Sequence, residues 1–239
     1  MRVTTLADPE AACARAAEVL ERLLDAARRE RAAAHLALAG GNTPRRTYEL
    51  LAQRMKDWRG IELWFGDERC VEPEDPESNY RMVREALIDR AAIPSEQVHR
   101  IPAELGPDRG AAAYADQLRE RLPSDEHGRP VLDLALLGLG EDGHTASLFP
   151  GGPALDAGGE ICVGVHDAPK PPPERVTLTL GVLLAARRCL LLATGAAKGD
   201  AVAAVLAGPD RSVPASLLRA GRLDVIVDDA AAPAPARRS

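Results

Sequence analysis

Aromatic side chains make up only 3% of these 239 residues, so the interior must be filled by Leu, Val and Ala. That aliphatic bias suits helices packed on a mostly parallel sheet, whose strands are buried on both faces. Cysteine is equally sparse. Cys13, Cys70, Cys162 and Cys189 stand far apart, with no C-x-x-C pair and no histidine at metal spacing. Reduced thiols acting as small apolar residues are therefore expected, and no metal. No apolar run approaches the roughly 20 residues of a membrane helix. The start, Met1 to Pro9, lacks the apolar core and cleavage signal of a secretory leader. A cytoplasmic protein is expected, with no membrane partner. A basic excess is missing too. The formal net charge of -6 argues against general affinity for nucleic acid, and any site for an anionic ligand must draw its positive potential from local residues.

What is present is an alternation of short aliphatic runs with longer helical stretches. Asp8-Pro9 reads as an N-cap and first helical residue, opening a helix to about Ala33. His35–Ala39, Ile61–Phe65, Val98–Ile101, Val131–Leu137, Ile161–Val165, Arg188–Thr194 and Leu223–Val227 read as strands. Thr43-Pro44 starts a second helix and Ser78 caps another to about Arg90. Asp108–Leu122, Ala196–Leu206 and Pro214–Ala220 complete the helical set. Such alternation predicts an α/β fold with a sheet covered on both faces. No composition break is long enough for a linker, so residues 1–239 are expected to form one domain, with 229–239 a frayed tail. Pro169-Lys170-Pro171-Pro172-Pro173 reads as a rigid surface loop.

Active sites of open α/β sheets lie at the carboxyl ends of the strands, and four such ends are rich in glycine and charge. In Gly40-Gly41-Asn42-Thr43-Pro44 the glycines would let backbone N–H groups approach an anion at a helix start. A tight turn with Thr43 as a plain N-cap explains the same residues equally well. Gly66-Asp67-Glu68-Arg69 places three charges directly after a strand, where a surface salt-bridge cluster is the alternative. Gly138, Gly140 and Gly143 match G-x-G-x-x-G, but Pro150-Gly151-Gly152-Pro153 cuts off the helix that dinucleotide binding needs, and Glu160 precedes the next strand instead of ending it. What remains is a glycine-lined loop holding Asp142 and His144, a base whose tautomer a carboxylate could fix. In Thr194-Gly195-Ala196-Ala197-Lys198 a lysine sits in a first helical turn, which the helix dipole disfavours unless an anion lies between them. Arg175 heads a short β-like run and is ambiguous by itself. The chain has neither a G-x-S-x-G elbow nor a Walker loop, and no cofactor is expected. A hydrolase built from these parts would activate water directly with a general base.

Taken together, Gly40–Pro44, Gly66–Arg69, Asp75–Tyr80, Val98–Pro102, Gly138–Pro150 and Pro214–Leu218 resemble the 6-phosphogluconolactonase pattern, in the same order and over nearly the whole chain. Gly140–Pro150 is the most specific piece. The resemblance implies a three-layer α/β sandwich with a mostly parallel, Rossmann-like sheet. It also implies hydrolysis of 6-phospho-D-glucono-1,5-lactone, a small-molecule substrate, in the oxidative pentose phosphate pathway. The related glucosamine-6-phosphate deaminases share the Asp-Gly-His loop. They typically continue it with an Ala-Phe-Asn-Glu type run and have Asp-Glu-Tyr where this chain has Asp67-Glu68-Arg69, so both differences favour the lactonase. A non-catalytic sugar-phosphate sensor ranks third. A monomer or small homo-oligomer fits either enzyme.

On this footing Gly40, Gly41, Asn42 and Thr43 would cradle the phosphate, with Arg175 and Lys198 adding charge. His144 would take the proton from water, oriented by Asp142. Arg69 would face the carbonyl oxygen or the sugar hydroxyls, and Asp67 would bond a hydroxyl. The segment Ala154–Pro173 carries no recognisable motif.

Overall fold

The computed structural model describes residues 1–233. Its elements are β1 (Arg2–Leu6), α1 (Pro9–Arg31), β2 (Ala34–Leu38), α2 (Asn42–Arg54), β3 (Ile61–Phe65), β4 (Asp67–Arg69), α3 (Asn79–Val83) and α4 (Asp89–Ala91). Then come α5 (Pro107–Arg121), β5 (Leu134–Gly138), β6 (Cys162–Val165), β7 (Arg175–Leu178), α6 (Leu180–Ala185), β8 (Cys189–Ala193), α7 (Gly199–Ala207) and β9 (Leu223–Asp228). The first long helix shows the local logic. The Asp8 carboxylate accepts from the Ala11 N–H at 2.7 Å, Pro9 fills the first turn, and Ala12, Ala16, Leu20, Leu24 and Ala27 form the buried stripe. The helix ends at Ala32 with φ 67°.

Six strands pair in the order β1-β9-β8-β5-β2-β3, all parallel. Three more, β4-β7-β6, form a small antiparallel sheet. α1 and α2 pack on each other and on the large sheet, while α5 packs on the small one. The mostly parallel, Rossmann-like sheet of a three-layer α/β sandwich is thus the architecture. From β2 the chain steps outward to β3, whereas from β5 it moves the opposite way to β8 and β9. The loops leaving β2 and β5 therefore diverge, and a crevice opens between adjacent parallel strands where the winding reverses.

Two buried tyrosines secure the strand ends beside this crevice. Tyr48 Oη accepts from the Ala39 N–H at 2.8 Å and donates to the Ala39 carbonyl at 2.9 Å. Tyr114 Oη does the same for Phe65, at 2.8 and 3.1 Å. Both rings are 0% exposed, so each satisfies backbone groups that leave the ladder where water cannot reach them.

Several expectations need correction. Thr43 is not an N-cap: Gly41 holds that position with φ 102° and Asn42 begins α2, because a positive φ suits glycine and not threonine. Val98–Ile101 forms a single bridge to Leu63, after which the chain turns into the 3-10 segment Ala103–Leu105. The strand expected from Val131 begins at Leu134, because the Asp133 carboxylate binds the His35 N–H and Arg31 in place of a ladder partner. β1 was not foreseen; it is an edge strand with Arg2, Val3 and Thr5 exposed, so it lacks a hydrophobic alternation. Residues 229–233 are not frayed, since the Asp229 N–H donates to the Leu6 carbonyl and Ala231 is buried. The rest of the expected tail, 234–239, lies outside the described residues.

Candidate active site

On the β2 side of the crevice, the turn Gly40-Gly41 brings the backbone in close. A Cβ on Gly40 would lie 1.9 Å from Asn79 Oδ1, so only glycine allows Asn79 to pack there. The N–H groups of Asn42 and Thr43 stand in the first turn of α2, where no preceding carbonyl can accept them. Thr43 Oγ1 meets Thr194 Oγ1 at 2.9 Å, tying this turn to the loop after β8. That second loop is held by Asp228, buried at 1% exposure, whose carboxylate accepts from the Gly195 N–H at 3.0 and 3.1 Å. Lys198 follows and reaches Glu141 Oε1 at 3.8 Å.

On the β5 side, Gly138–Ser147 folds back on itself. The Gly140 N–H donates to the His144 carbonyl at 2.8 Å, and Thr145 Oγ1 donates to the Gly138 carbonyl at 2.9 Å. Gly143 has φ 82° and packs against Val213. The loop sets His144 Nδ1 2.5 Å from Asp142 Oδ1, leaving Nε2 as the nitrogen free to accept a proton. Burial holds the imidazole below its ordinary pKa, although the Asp142 hydrogen bond and charge pull it upward. Burial raises the Asp142 carboxyl, but the His144 hydrogen bond and charge outweigh it and leave it below the usual carboxylate range. The net lowering favours the uncharged ring. Phe149 lies against the ring, with centroids 4.7 Å apart.

The third wall is β4 with the start of α3. Asp67 is 6% exposed; its Oδ2 accepts from Ser147 Oγ at 2.6 Å, and Asn79 Nδ2 donates to its backbone carbonyl at 2.9 Å. Glu68 is not a site residue. Its carboxylate accepts from the N–H groups of Arg69, Asn79 and Tyr80 and from Ser78 Oγ, which caps α3 from inside, and burial raises its pKa against those bonds. Arg69 donates from Nη1 to the Glu77 carbonyl at 2.6 Å, while its buried Nε has no protein partner. Arg175 is 4% exposed. It donates from Nε to the Pro172 carbonyl at 3.0 Å, and from Nη2 to the carbonyls of Lys170 at 2.8 Å and Pro171 at 3.3 Å. Burial pulls its pKa down, and no carboxylate among the described residues pairs with it.

These walls enclose a cavity of about 260 Å³ that brings together Gly40, Gly41, Asp67, Arg69, His144, Arg175 and Lys198. A second space of about 280 Å³ extends it along Gly40–Pro44, Thr194 and Lys198. Asn42 and Thr43 line this extension and not the first cavity, and Asp142 stands behind His144 without lining either space. A larger, shallower groove of about 540 Å³ along α5 and β6 contains no histidine and no glycine turn at a strand end of the large sheet. Asn79, Ser147 and Lys170 escaped the sequence reading. Asn79 belongs to a stretch whose signal is its family resemblance, and Ser147 to the loop that carries His144. Lys170 sat in the motif-free segment. Among the described residues no three metal-ligating side chains converge, and no helix is long and apolar enough to cross a membrane.

An imidazole held by a carboxylate, a cationic wall and a helix N-terminus in one crevice suit an enzyme that takes an anionic substrate. The family model for glucosamine-6-phosphate isomerases/6-phosphogluconolactonase matches residues 7–227, and the chain belongs to that family. The 6-phosphogluconolactonase of Mycobacterium leprae is 42% identical over 80% of this chain and 79% of its own length. That of a Nostoc species is 36% identical over 96% of each. Among solved structures, 6-phosphogluconolactonase from Trypanosoma brucei superposes with a TM-score of 0.87 at 31% identity, covering 96% of this chain and 97% of that one.

Proposed function

We propose that this crevice hydrolyses 6-phospho-D-glucono-1,5-lactone to 6-phosphogluconate by general-base activation of water. The observation that carries the reading is the His144–Asp142 pair at 2.5 Å, facing a cavity that is also lined by a glycine turn at a helix start. The substrate phosphate lies against Gly40, Gly41, Asn42 and Thr43, where free N–H groups and the helix dipole favour an anion, and Lys198 supplies a direct charge. Arg175 adds its field from the pocket wall. One unit-charge contact at about 4 Å is worth about 4 kcal/mol at an effective dielectric of 20, before desolvation. Two or three such contacts hold a dianion on a protein of net charge -6.

With the phosphate so placed, the lactone carbonyl lies toward His144. Nε2 takes a proton from water as its oxygen attacks the carbonyl carbon. The tetrahedral intermediate then collapses, the bond from that carbon to the ring oxygen breaks, and the ring oxygen recovers the proton. Arg69, which lines the cavity, meets the carbonyl oxygen or the adjacent hydroxyls with its guanidinium, and Asp67 accepts from a sugar hydroxyl. A positioned base contributes roughly 10²–10⁴-fold, which suffices for a lactone that already opens spontaneously. No covalent step and no cofactor enter this scheme. The cytoplasm is the compartment that fits a free sugar phosphate as substrate. Paired assays on purified protein decide the reading: lactone hydrolysis above the spontaneous rate is expected, and ammonia release from glucosamine 6-phosphate without it would overturn the assignment.

A further inference from the structure

Residues Pro169–Pro173 form a strap across one side of the crevice. Its backbone carbonyls at Lys170, Pro171 and Pro172 all accept from Arg175. Prolines on either side of Lys170 restrict the strap's φ angles, and the clamp fixes where it passes. The guanidinium itself rests on Phe149, 5.5 Å from the ring centroid, and Phe149 in turn lies against His144. A continuous stack thus runs from the proposed base to the strap.

The strap presents Lys170 to the cavity that holds Asp67, Arg69 and His144. Lys170 is exposed at the mouth and makes no salt bridge to any described residue, whereas nearly every other cation near the site has a carboxylate or carbonyl partner. Lysine is also scarce: Lys56, Lys170 and Lys198 are the only three in the chain, against 30 for lysine and arginine together. Two of the three line this one cavity. A compact ammonium is a point charge with three rotatable donors, suited to a single oxygen whose charge changes. The two lysines divide the cavity between them. Lys198 borders the extension along the glycine turn, and Lys170 does not. Lys170 is instead the lysine whose charge acts on His144.

We infer that Lys170, positioned by the Arg175 clamp, is a further substrate-contacting residue: its ammonium meets the carbonyl oxygen of the bound lactone and the carboxylate that this oxygen becomes. The inference rests on the lactonase reading of the site. It gives Arg175 a positioning task besides its charge. Negative charge developing on the carbonyl oxygen during water attack is then met by a cation whose backbone the Arg175 clamp holds in place. The groups that act on His144 are Asp142, Lys170 and Asp67; burial lowers its pKa most, Asp142 and Asp67 raise it, and Lys170 lowers it. Lys170 therefore also helps keep the base neutral.

The test uses Lys170→Met, Lys170→Arg and Arg175→Lys in the full chain. Lys170→Met is expected to lower kcat about 10- to 100-fold, the range for a hydrogen bond to a charged group, on both the phosphorylated lactone and unphosphorylated gluconolactone. Lys170→Arg restores part of the loss. Arg175→Lys keeps the charge but cannot hold three carbonyls, so it reproduces the loss, and the double variant with Lys170→Met is less than additive. An NMR titration of the His144 ring in Lys170→Met moves to higher pH. An effect confined to KM for the phosphorylated lactone would assign Lys170 to the phosphate and overturn the inference. So would unchanged kcat together with an unmoved His144 titration. If the wild-type protein hydrolyses no lactone, the lactonase reading falls, and the His144 titration still decides whether Lys170 faces the base.

Discussion

Ser147 donates a 2.6 Å hydrogen bond to Asp67, joining the loop that carries the base to the first strand of the small sheet. Both side chains are buried, at 0% and 6% exposure. The Ser147 N–H donates to Thr177 Oγ1 on β7 at 3.2 Å, so a single residue aligns β4, β7 and the His144 loop around one cavity. Asp67 is left with Oδ1, 3.4 Å from Asn79 Nδ2, to accept from a ligand.

Replacing Ser147 by Ala strands a buried carboxylate oxygen. The expected loss is about 1–3 kcal/mol, a fall in melting temperature of about 2–4 °C for each kcal/mol in a chain of this length. Turnover should drop with it, because Asp67 loses its aim. Thermal melts and lactone kinetics on the same preparation check both effects, and a variant equal to wild type in each would show the bond to be incidental.

Gly140 faces a different constraint. A Cβ there would lie 2.0 Å from His144 Nδ1 and 2.4 Å from Asp142 Oδ1. Both are side-chain ends that can swing away, so Gly140→Ala should fold with little loss of stability yet lose activity almost as His144→Ala does. A melt near wild type with turnover down about 10²-fold or more is the expected pair of results. Retained turnover would mean that the 2.5 Å contact is dispensable.

Phosphate recognition should depend on Lys198 and not on Arg45 or Arg46. Arg46 is engaged by Glu10 and Glu49, and Arg45 by Glu49 and Glu85. Lys198→Met should raise KM for the phosphorylated lactone at least about tenfold, as expected for one charged hydrogen bond, with little change on gluconolactone. Equal losses on both substrates would place Lys198 in folding or chemistry instead.

The pH dependence has a definite sign. His144 must be neutral to act as a base, and burial holds its pKa below the ordinary value, so the acid limb of the rate profile should lie below the usual histidine midpoint of about 6.5. In Asp142→Asn the carboxylate that raises this pKa is gone, so the limb should move to still lower pH, while the plateau falls because the tautomer is no longer fixed. A limb that moves upward would exclude His144 as the titrating base.

How far the sequence reveals the site follows from where each signal resides. The turns at Gly40-Gly41 and Gly138–His144 are contiguous in sequence, and the chemistry they display survives the step to three dimensions. The parallel sheet was legible because its buried strands are unbroken aliphatic runs such as Leu134–Leu137. Edge strand β1 and the three-residue β4 carry too little periodicity to be seen. Residues whose task depends on distant partners stayed hidden. Ser147 meets Asp67 across 80 positions, and Lys170 acquires its place only through carbonyls held by Arg175. Glu68 shows the converse: a charge at a strand end that serves the backbone of α3 instead of the cavity.

The most direct test of the account is turnover of 6-phospho-D-glucono-1,5-lactone by His144→Ala, corrected for spontaneous hydrolysis and compared with wild type. A folded variant should lose about 10²–10⁴-fold in kcat, the contribution of one positioned base. Its affinity for the phosphorylated product should be nearly unchanged, because the glycine turn and Lys198 also border an extension of the cavity that His144 does not line. A folded His144→Ala protein with near wild-type turnover would contradict the account, and Asp67 would become the next base to examine.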